Sequence, residues 1–279
     1  MTDNGIAALV LILINILFSY KGFKKKVFFN NYKFEVDPIL LSKDYKRLIT
    51  SGFLHVDWMH LFFNMLTLYL FSTSLESYIG IGPFLIIYFV SLIGGNLFTL
   101  FIHRQHGDYS SVGASGAVSG IVFASIAVFP HMKMGIAPVF IPAWIYGLGY
   151  IAYSIYGIRS KKDNIGHEAH LGGALIGMIT AIIIVPSAIE TNYPTILLLT
   201  LPTMVFIYVV VTRPHLLFIN NHFFNSHKIY YDIDDQYNDD RVSKQKEIDR
   251  ILDKISSKGI NSLSIKEKKV LDQYSEKIR

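Results

Sequence analysis

The chain has 279 residues, of which 51% are hydrophobic and 17% are charged, and its mean hydropathy is +0.37. The apolar residues occur in long blocks, so this composition excludes an ordinary soluble domain and predicts a polytopic membrane protein. The chain contains no cysteine, which excludes disulfides, zinc thiolates and a cysteine nucleophile. The net charge of +5 comes from loops between apolar blocks and from the tail, a distribution that suits lipid headgroups better than nucleic acid.

Seven apolar stretches predict an all-α fold, a polytopic bundle of transmembrane helices. A span needs about 17 to 25 residues. The first stretch lacks a basic segment before it and a small-residue cleavage site after it, so we expect a retained span and not a signal peptide. Pro194 lies at a predicted start, whereas Pro142 and Pro202 lie inside spans and should kink them. The predicted spans are 6–20, 56–78, 83–103, 115–129, 136–158, 167–186 and 194–212.

The loop between the first two spans is basic and aromatic. Residues 21–47 mix lysines with phenylalanines and tyrosines, a mixture typical of a segment that lies in the lipid headgroup layer. A solvated loop is an equal alternative for the first half of this segment.

The last part of the chain has a different composition. We expect a transmembrane domain over 1–213, an interfacial and acidic linker over 214–240, and a small soluble helical hairpin over 241–279. Ile248, Ile251, Leu252 and Ile255 fall at helical spacing and predict the first helix of the hairpin. Ser264 with Glu267 forms a predicted capping box for the second helix.

The fourth span begins with a serine among small residues, in the sequence Ser-Val-Gly-Ala-Ser-Gly-Ala-Val-Ser-Gly over 111–120. Polar side chains at membrane depth indicate function by default. Ser115 is therefore a candidate nucleophile, and a nucleophilic serine needs a base. A lone intramembrane serine more often bonds back to its own helix, and we expect that of Ser91, Ser119 and Ser125.

Three further polar residues lie at the starts of even-numbered spans. His60 and Asn64 are four residues apart on one face of the second span, and His170 lies one turn into the sixth. In an alternating topology the second, fourth and sixth spans begin on the same side of the membrane. We therefore expect these side chains to meet Ser115 just below one membrane surface.

Glycine rows favour this convergence. Gly116 and Gly120 form a small-residue row on the fourth span, and Gly173 and Gly177 form one on the sixth. Such rows allow two helices to approach closely in lipid. The approach would bring His170 within hydrogen-bond reach of Ser115, with His60 and Asn64 placed to stabilise an oxyanion.

The other histidines allow alternative roles. His167 could replace His170 as the base, although the Ala-His-x-x-Gly context favours His170. His55 does not share the face of His60, which favours a role in fixing a loop. The sequence His-Glu-Ala-His over 167–170 has the wrong spacing for a zinc motif, so no metal is expected.

Together these residues resemble the rhomboid family of intramembrane serine proteases, over roughly 46–177. Gly113-Ala114-Ser115-Gly116 is similar to the family's nucleophile motif. The second-span motif is His55-x4-His60-x3-Asn64, and the sixth-span motif is Ala169-His170-x2-Gly173-x3-Gly177. Arg47 and Glu76 match a loop arginine and a second-helix glutamate that are often seen in the family.

The resemblance implies a six-helix core, here with a seventh span, and a Ser115–His170 dyad without an aspartate. It implies an oxyanion hole made by His60, Asn64 and the Ser115 backbone N–H. The expected substrates are transmembrane segments of proteins in the lipid bilayer, with no cofactor and no nucleic acid. The protein is expected to be a multi-pass protein of a bacterial inner membrane. A non-catalytic helix-binding relative with the same fold is the alternative function, and the nearly uncharged span centres disfavour a transporter.

Two features depart from the family pattern. Many members have an aromatic residue four positions after the nucleophile, packed on the histidine, where this chain has Ser119. The family topology also places the site and the basic loop outside, whereas the positive-inside rule predicts the opposite orientation. The sequence alone leaves the sidedness of the site open.

Overall fold

The structure is a computed structural model that describes residues 5–136, 139–160 and 166–212, and residues 251, 254, 255, 264, 267 and 271 of the tail. The chain divides into two compact units, Met1–His227 and Lys228–Arg279, each described by itself.

Within the described part of the chain, seven helices of 14 residues or more make up the bundle, and short elements connect them. The long helices are α1 (Ile6–Lys24), α5 (Trp58–Ile79), α6 (Ile81–His103), α7 (Ser115–Val128), α8 (Ala143–Ser160), α9 (His167–Ile184) and α10 (Ser187–Thr212). The short helices are α2 (Lys26–Tyr32), α3 (Val36–Leu40) and α4 (Arg47–Thr50), followed by a 3-10 turn over Ser51–Phe53. The strands are β1 (Phe34–Glu35), β2 (Ser110–Ser111), β3 (Lys133–Ile136) and β4 (Val139–Pro142).

The predicted polytopic helical bundle is confirmed. Among the described residues, α1, α6, α9 and α10 are long and apolar enough to cross a membrane, and α7 is a shorter apolar helix. The 14 residues of α7 extend about 21 Å, less than the roughly 30 Å of a hydrocarbon core. Because α7 packs against α5, α6, α8, α9 and α10, it is the central helix of the bundle. Because α7 is shorter than the hydrocarbon core, at least one of its ends is expected below the lipid boundary.

The predicted start of the fifth span is wrong. Residues 136 and 139–142 of the predicted span lie in strands β3 and β4, which pair antiparallel with Lys133 opposite Pro142, and α8 begins only at Ala143. Pro142 is therefore the last residue of β4 and does not kink the helix. The physical reason is that proline disfavours a helical conformation in the residue before it and is tolerated at strand ends.

The predicted start of the seventh span is also wrong. Helix α10 begins at Ser187, so both Pro194 and Pro202 lie inside it. The first two turns of α10 are more polar than the rest of the helix, so hydropathy does not assign them to the span. They are held by a tertiary contact, because the Asn192 side chain donates to the carbonyls of Ala127 and Val128 at 2.9 and 3.1 Å.

Helices α7 and α9 touch through their backbones. A Cβ on Gly173 would collide with the Gly116 carbonyl, and a Cβ on Gly177 would lie 2.6 Å from the carbonyl carbon of Gly120. On α6, a Cβ on Gly95 would lie 2.7 Å from the carbonyl oxygen of Ala169. The two glycine rows found in the sequence therefore face each other, and α6 closes on the same part of α9.

The loop between α1 and α5 is folded around Arg47, which is buried. Its guanidinium donates to the carbonyls of Asn30 and Lys33 at 2.9 and 2.8 Å and to the Asp44 carboxylate at 3.0 Å. Strand β1 of this loop pairs with β2, with Phe34 opposite Ser111. The loop is thereby attached to the residues that lead into α7.

In the second unit, the predicted capping box is confirmed. The backbone N–H of Ser264 donates to the Glu267 carboxylate at 2.8 Å, and the Glu267 N–H donates to the Ser264 hydroxyl at 3.3 Å. Lys254 also donates to Glu267 at 2.8 Å, and these hydrogen bonds lower the pKa of Glu267 to about 2. Ile248, Leu252 and the linker 214–240 lie outside the described residues, and the predicted domain boundaries stay a prediction.

Glu76 caps the first helix from a distance of almost seventy residues. The N-cap residue of α1 is Gly5, which has no side chain to offer. The buried Glu76 carboxylate accepts the backbone N–H groups of Ala7 and Ala8 at 2.8 and 3.0 Å. A carboxylate also stabilises the positive end of the helix dipole, so this contact joins α1 to α5.

Replacing Glu76 with alanine should destabilise the bundle, because two buried N–H groups lose their acceptor at a cost of about 1 to 3 kcal/mol each. The measurement is thermal unfolding in detergent micelles. The matched control is Glu190→Ala, since Glu190 is exposed in the first turn of α10. Equal melting temperatures for the two variants would contradict the capping role.

Candidate active site

One cavity inside the bundle collects the polar residues singled out in the sequence. Its volume is about 1030 Å³, and its walls come from α5, α7, α8, α9 and the β3–β4 hairpin. Ser115, His170, His60 and Asn64 all line it. The remaining wall is mainly apolar and aromatic, with residues such as Phe63, Val118, Ile145, Tyr146, Tyr150 and Tyr153.

Ser115 is the first residue of α7 and is half-buried. Two backbone N–H groups hold the turn before it. Gly113 N–H donates to the Ser51 carbonyl at 3.0 Å, and Ala114 N–H donates to the side-chain Nε2 of His55 at 3.4 Å. The N-cap residue Ala114 offers no capping side chain. The first N–H groups of α7, at the end of the helix that lies at the cavity, therefore receive no capping hydrogen bond from the Ala114 side chain.

His55 fixes this turn, in the role that the sequence favoured. Because Nε2 accepts from Ala114, the ring proton is on Nδ1, which donates to Ser19 Oγ at 2.8 Å. Ser19 in turn donates to the Phe53 carbonyl at 3.0 Å. Burial, with His60 nearby, lowers the pKa of His55 to about 3, so the ring is neutral and this donor–acceptor order is kept at physiological pH.

His60 and Asn64 are set by the start of α5. The N-cap Asp57 accepts the His60 N–H at 2.8 Å, and the Asn64 amide donates to the His60 carbonyl at 2.9 Å. Gly113, at φ 137°, lies between His60 and the serine. A Cβ built on Gly113 would be 3.0 Å from His60 Nε2 and 3.3 Å from Ser115 Oγ, so the two side chains flank one point.

His170 lies in the first turn of α9 and is only 4% exposed. Neither of its ring nitrogens makes a hydrogen bond to a residue that the structure describes, so the bond to Ser115 expected from the sequence is not formed here. Hydrogen bonds of catalytic pairs are often long in a free enzyme and tighten when substrate binds. The ring instead packs against Tyr150, with centroids 5.7 Å apart, and His167, at 5.2 Å.

His167 does not line the cavity. It is buried against Gly157 and the Tyr153 ring on α8, with ring centroids 5.2 Å apart. The next residue, Glu168, lies 3.4 Å from His103 at the end of α6. These contacts anchor the first turn of α9, and nothing in the local sequence pattern pointed to the pair His103 and Glu168.

The remaining sequence candidates lie away from the cavity. Arg47 organises the loop and Glu76 caps α1, so both act on the scaffold. Gly116, Gly173 and Gly177 form the contact between α7 and α9. Within the part of the chain that the structure describes, no group of three or more histidine, aspartate or glutamate side chains is arranged to hold a metal ion.

A serine and a histidine line one cavity in a bundle of membrane-spanning helices, and the fold places the protein in the class of polytopic membrane proteins. Comparison with known proteins identifies the family. The profile of the Rhomboid domain matches residues 42–187, and the chain belongs to the rhomboid family. Residues 231–277 match a family of unknown function, DUF6576.

Several curated relatives are similar to this chain. The mitochondrial Rhomboid protein 1 of Saccharomyces cerevisiae is 34% identical over 157 residues, which are 53% of this chain and 45% of that protein. The rhomboid protease AarA of Providencia stuartii is 32% identical over 202 residues, 63% of this chain and 71% of that protein. The mitochondrial RHOMBOID-like protein 12 of Arabidopsis thaliana is 29% identical over 198 residues, 64% of this chain and 58% of that protein. The match thus spans about half the length of the yeast and Arabidopsis relatives.

Replacing Gly113 with alanine should suppress the reactivity of Ser115, because the new Cβ meets His60 and Ser115 at a backbone conformation that alanine rarely adopts. The measurement is the rate at which a fluorophosphonate probe labels Ser115. The control is Gly82→Ala, since no atom lies within 4 Å of the Cβ position there. Labelling of Gly113→Ala at the rate of this control would contradict the close approach.

Proposed function

We propose that this protein is an intramembrane serine endopeptidase that uses a Ser115–His170 dyad. The observation that carries the proposal is the joint placement of a hydroxyl and an imidazole on one cavity, at the first turns of two helices in backbone contact. A serine nucleophile requires an adjacent base, and His170 is the histidine of α9 that lines the cavity with Ser115. Membership of the rhomboid family supports the same activity.

In the proposed reaction, Ser115 Oγ attacks the scissile carbonyl while His170 takes its proton. His170 then returns the proton to the leaving amine, and a water molecule, deprotonated by the same histidine, releases the acyl group. The reaction needs no cofactor, because these two side chains supply the nucleophile and the base. No third residue is assigned to orient His170 by a hydrogen bond.

The oxyanion would be stabilised by His60, Asn64 and the Ser115 backbone N–H. Asn64 has two amide hydrogens and uses one of them on the His60 carbonyl, which leaves the other for the oxyanion. The N-terminus of α7 adds the partial positive charge of its uncapped N–H groups. His60 and Ser115 already flank one point beside Gly113, which is where a reacting carbonyl oxygen would be held between them.

The proposed substrates are transmembrane segments of proteins in the lipid bilayer. Residues of α5 and α8 contribute to the cavity wall, which is mainly apolar, as a lipid-soluble segment requires. Cleavage would occur where small or helix-breaking residues allow the segment to extend. Mitochondrial and bacterial proteins are both among the relatives, so residence in a bacterial inner membrane stays a prediction.

Replacing Ser115 or His170 with alanine should lower cleavage of a transmembrane reporter by about 10⁴-fold or more, because each removes one half of a unit that acts together. The same variants should lose fluorophosphonate labelling and keep their melting temperature. His131→Ala is the matched control for the histidine, since His131 is exposed and does not line the cavity.

Two results would overturn the proposal. Full cleavage by Ser115→Ala would show that another group is the nucleophile. A wild-type protein that binds the reporter segment but is neither labelled nor active would instead be a non-catalytic helix-binding member of the family.

A further inference from the structure

We propose that Tyr150 on α8, held in place by Ser119, is the positioning residue of His170, an inference that rests on the proposed function. The position four residues after Ser115 holds a serine, so α7 brings no aromatic ring to the histidine. The ring comes from a different helix. Tyr150 lines the cavity and is half-buried beside His170.

The hydroxyl of Ser119 connects the two helices. Ser119 is completely buried, and its Oγ lies 2.5 Å from the Ser115 carbonyl oxygen and 2.6 Å from the Tyr150 hydroxyl. A serine hydroxyl has one hydrogen, which is donated to the Ser115 carbonyl. Tyr150 must then donate to Ser119, so the tyrosine has a fixed partner and a fixed orientation.

The ring of Tyr150 packs against the ring of His170. The rings of Tyr150 and His170 are 5.7 Å apart at 39°. Tyr150 is itself packed against Phe123 of α7, at 6.2 Å, and stacked on Tyr146, at 6.2 Å and 24°. The Tyr150 ring therefore contacts two further aromatic rings and cannot rotate without breaking these contacts.

His170 depends on packing for its orientation. Its two ring nitrogens make no hydrogen bond to any described residue, so its rotamer is set by the side chains that touch the ring. Of these, His167 precedes it by one turn on α9, whereas Tyr150 comes from the helix across the cavity. The backbone of Ser115 and the ring of His170 are thus linked through Ser119 and Tyr150.

The test measures kcat and KM for a transmembrane reporter together with the rate of fluorophosphonate labelling of Ser115. Tyr150→Ala should lower kcat and the labelling rate by about 10²-fold, the usual effect of a misplaced catalytic group. KM should change much less. Tyr150→Phe removes the hydrogen bond between the two hydroxyls, and Ser119→Ala removes that bond together with the bond to the Ser115 carbonyl. Both variants keep the tyrosine or phenylalanine ring, so each should cost about three- to tenfold.

A double-mutant cycle tests the link itself. If Ser119 acts through Tyr150, then Ser119→Ala combined with Tyr150→Phe should be no slower than either single variant. The exchange Ser119→Tyr with Tyr150→Ala places a ring four residues after the nucleophile and should recover labelling above that of Tyr150→Ala. Multiplied losses in the cycle, with no recovery on exchange, would overturn the proposal.

Matched controls separate positioning from loss of fold. Tyr156→Ala removes an exposed tyrosine from the same helix. Ser125→Ala removes a serine of α7 that also bonds back to its helix, at the Ile121 carbonyl, but whose second partner is the Phe71 carbonyl. Both should retain wild-type labelling. Equal losses in Ser125→Ala and Ser119→Ala would show a general effect of serine loss in α7 and overturn the proposal.

A readout independent of turnover distinguishes this proposal from the proposed function. In ¹⁵N-histidine NMR spectra, the His170 ring signals, assigned from their loss in His170→Gln, should be single in the wild type and broadened or doubled in Tyr150→Ala. An inactive wild type with this spectral change would reject the protease assignment alone. An active wild type whose His170 signals and kcat are unchanged in Tyr150→Ala would reject the positioning role alone.

Discussion

The backbone contact between α7 and α9 is the constraint on which the rest of the bundle depends. In lipid, two helices gain no hydrophobic free energy by meeting, so close packing of small residues must hold them together. Gly116 faces Gly173 and Gly120 faces Gly177, with no space for a methyl group at either crossing. Ser115 directly precedes Gly116 on α7, and His170 lies three residues before Gly173 on α9. The contact that packs the bundle therefore also brings both residues to one cavity.

The turn before Ser115 is held from outside the helix that it opens. Its backbone N–H groups are bonded to Ser51 and His55, and β2 pairs with β1 of the loop that Arg47 organises. Inside a membrane each unpaired backbone group is costly, so an irregular turn must be satisfied by protein. The large loop between α1 and α5 meets that need, which explains why residues distant from the cavity are part of the same fold.

The cavity divides the proposed catalytic tasks among four helices. Helix α7 supplies the nucleophile, α9 the base, α5 the oxyanion donors, and α8 the aromatic ring against the base. Of these, α8 follows a hairpin and touches the site through side chains, whereas α7 and α9 touch through backbone. In the proposed mechanism, the histidine is carried by α9, which contacts α7 through backbone, and is aligned by α8, which contacts it through the Tyr150 ring.

The sequence by itself determined the membrane class, the order of the spans and the faces that carry Ser115, His60, Asn64 and His170, because hydropathy and helical spacing are local properties. Local patterns also predicted the capping box at Ser264 and the glycine rows. Only the tertiary structure decided where α8 and α10 begin, that Glu76 caps α1, and that Tyr150 bonds Ser119. The contacts of Glu76 and Tyr150 join residues far apart in the chain. The spacing of residues within one helix does not show which distant side chain bonds a given backbone group or hydroxyl.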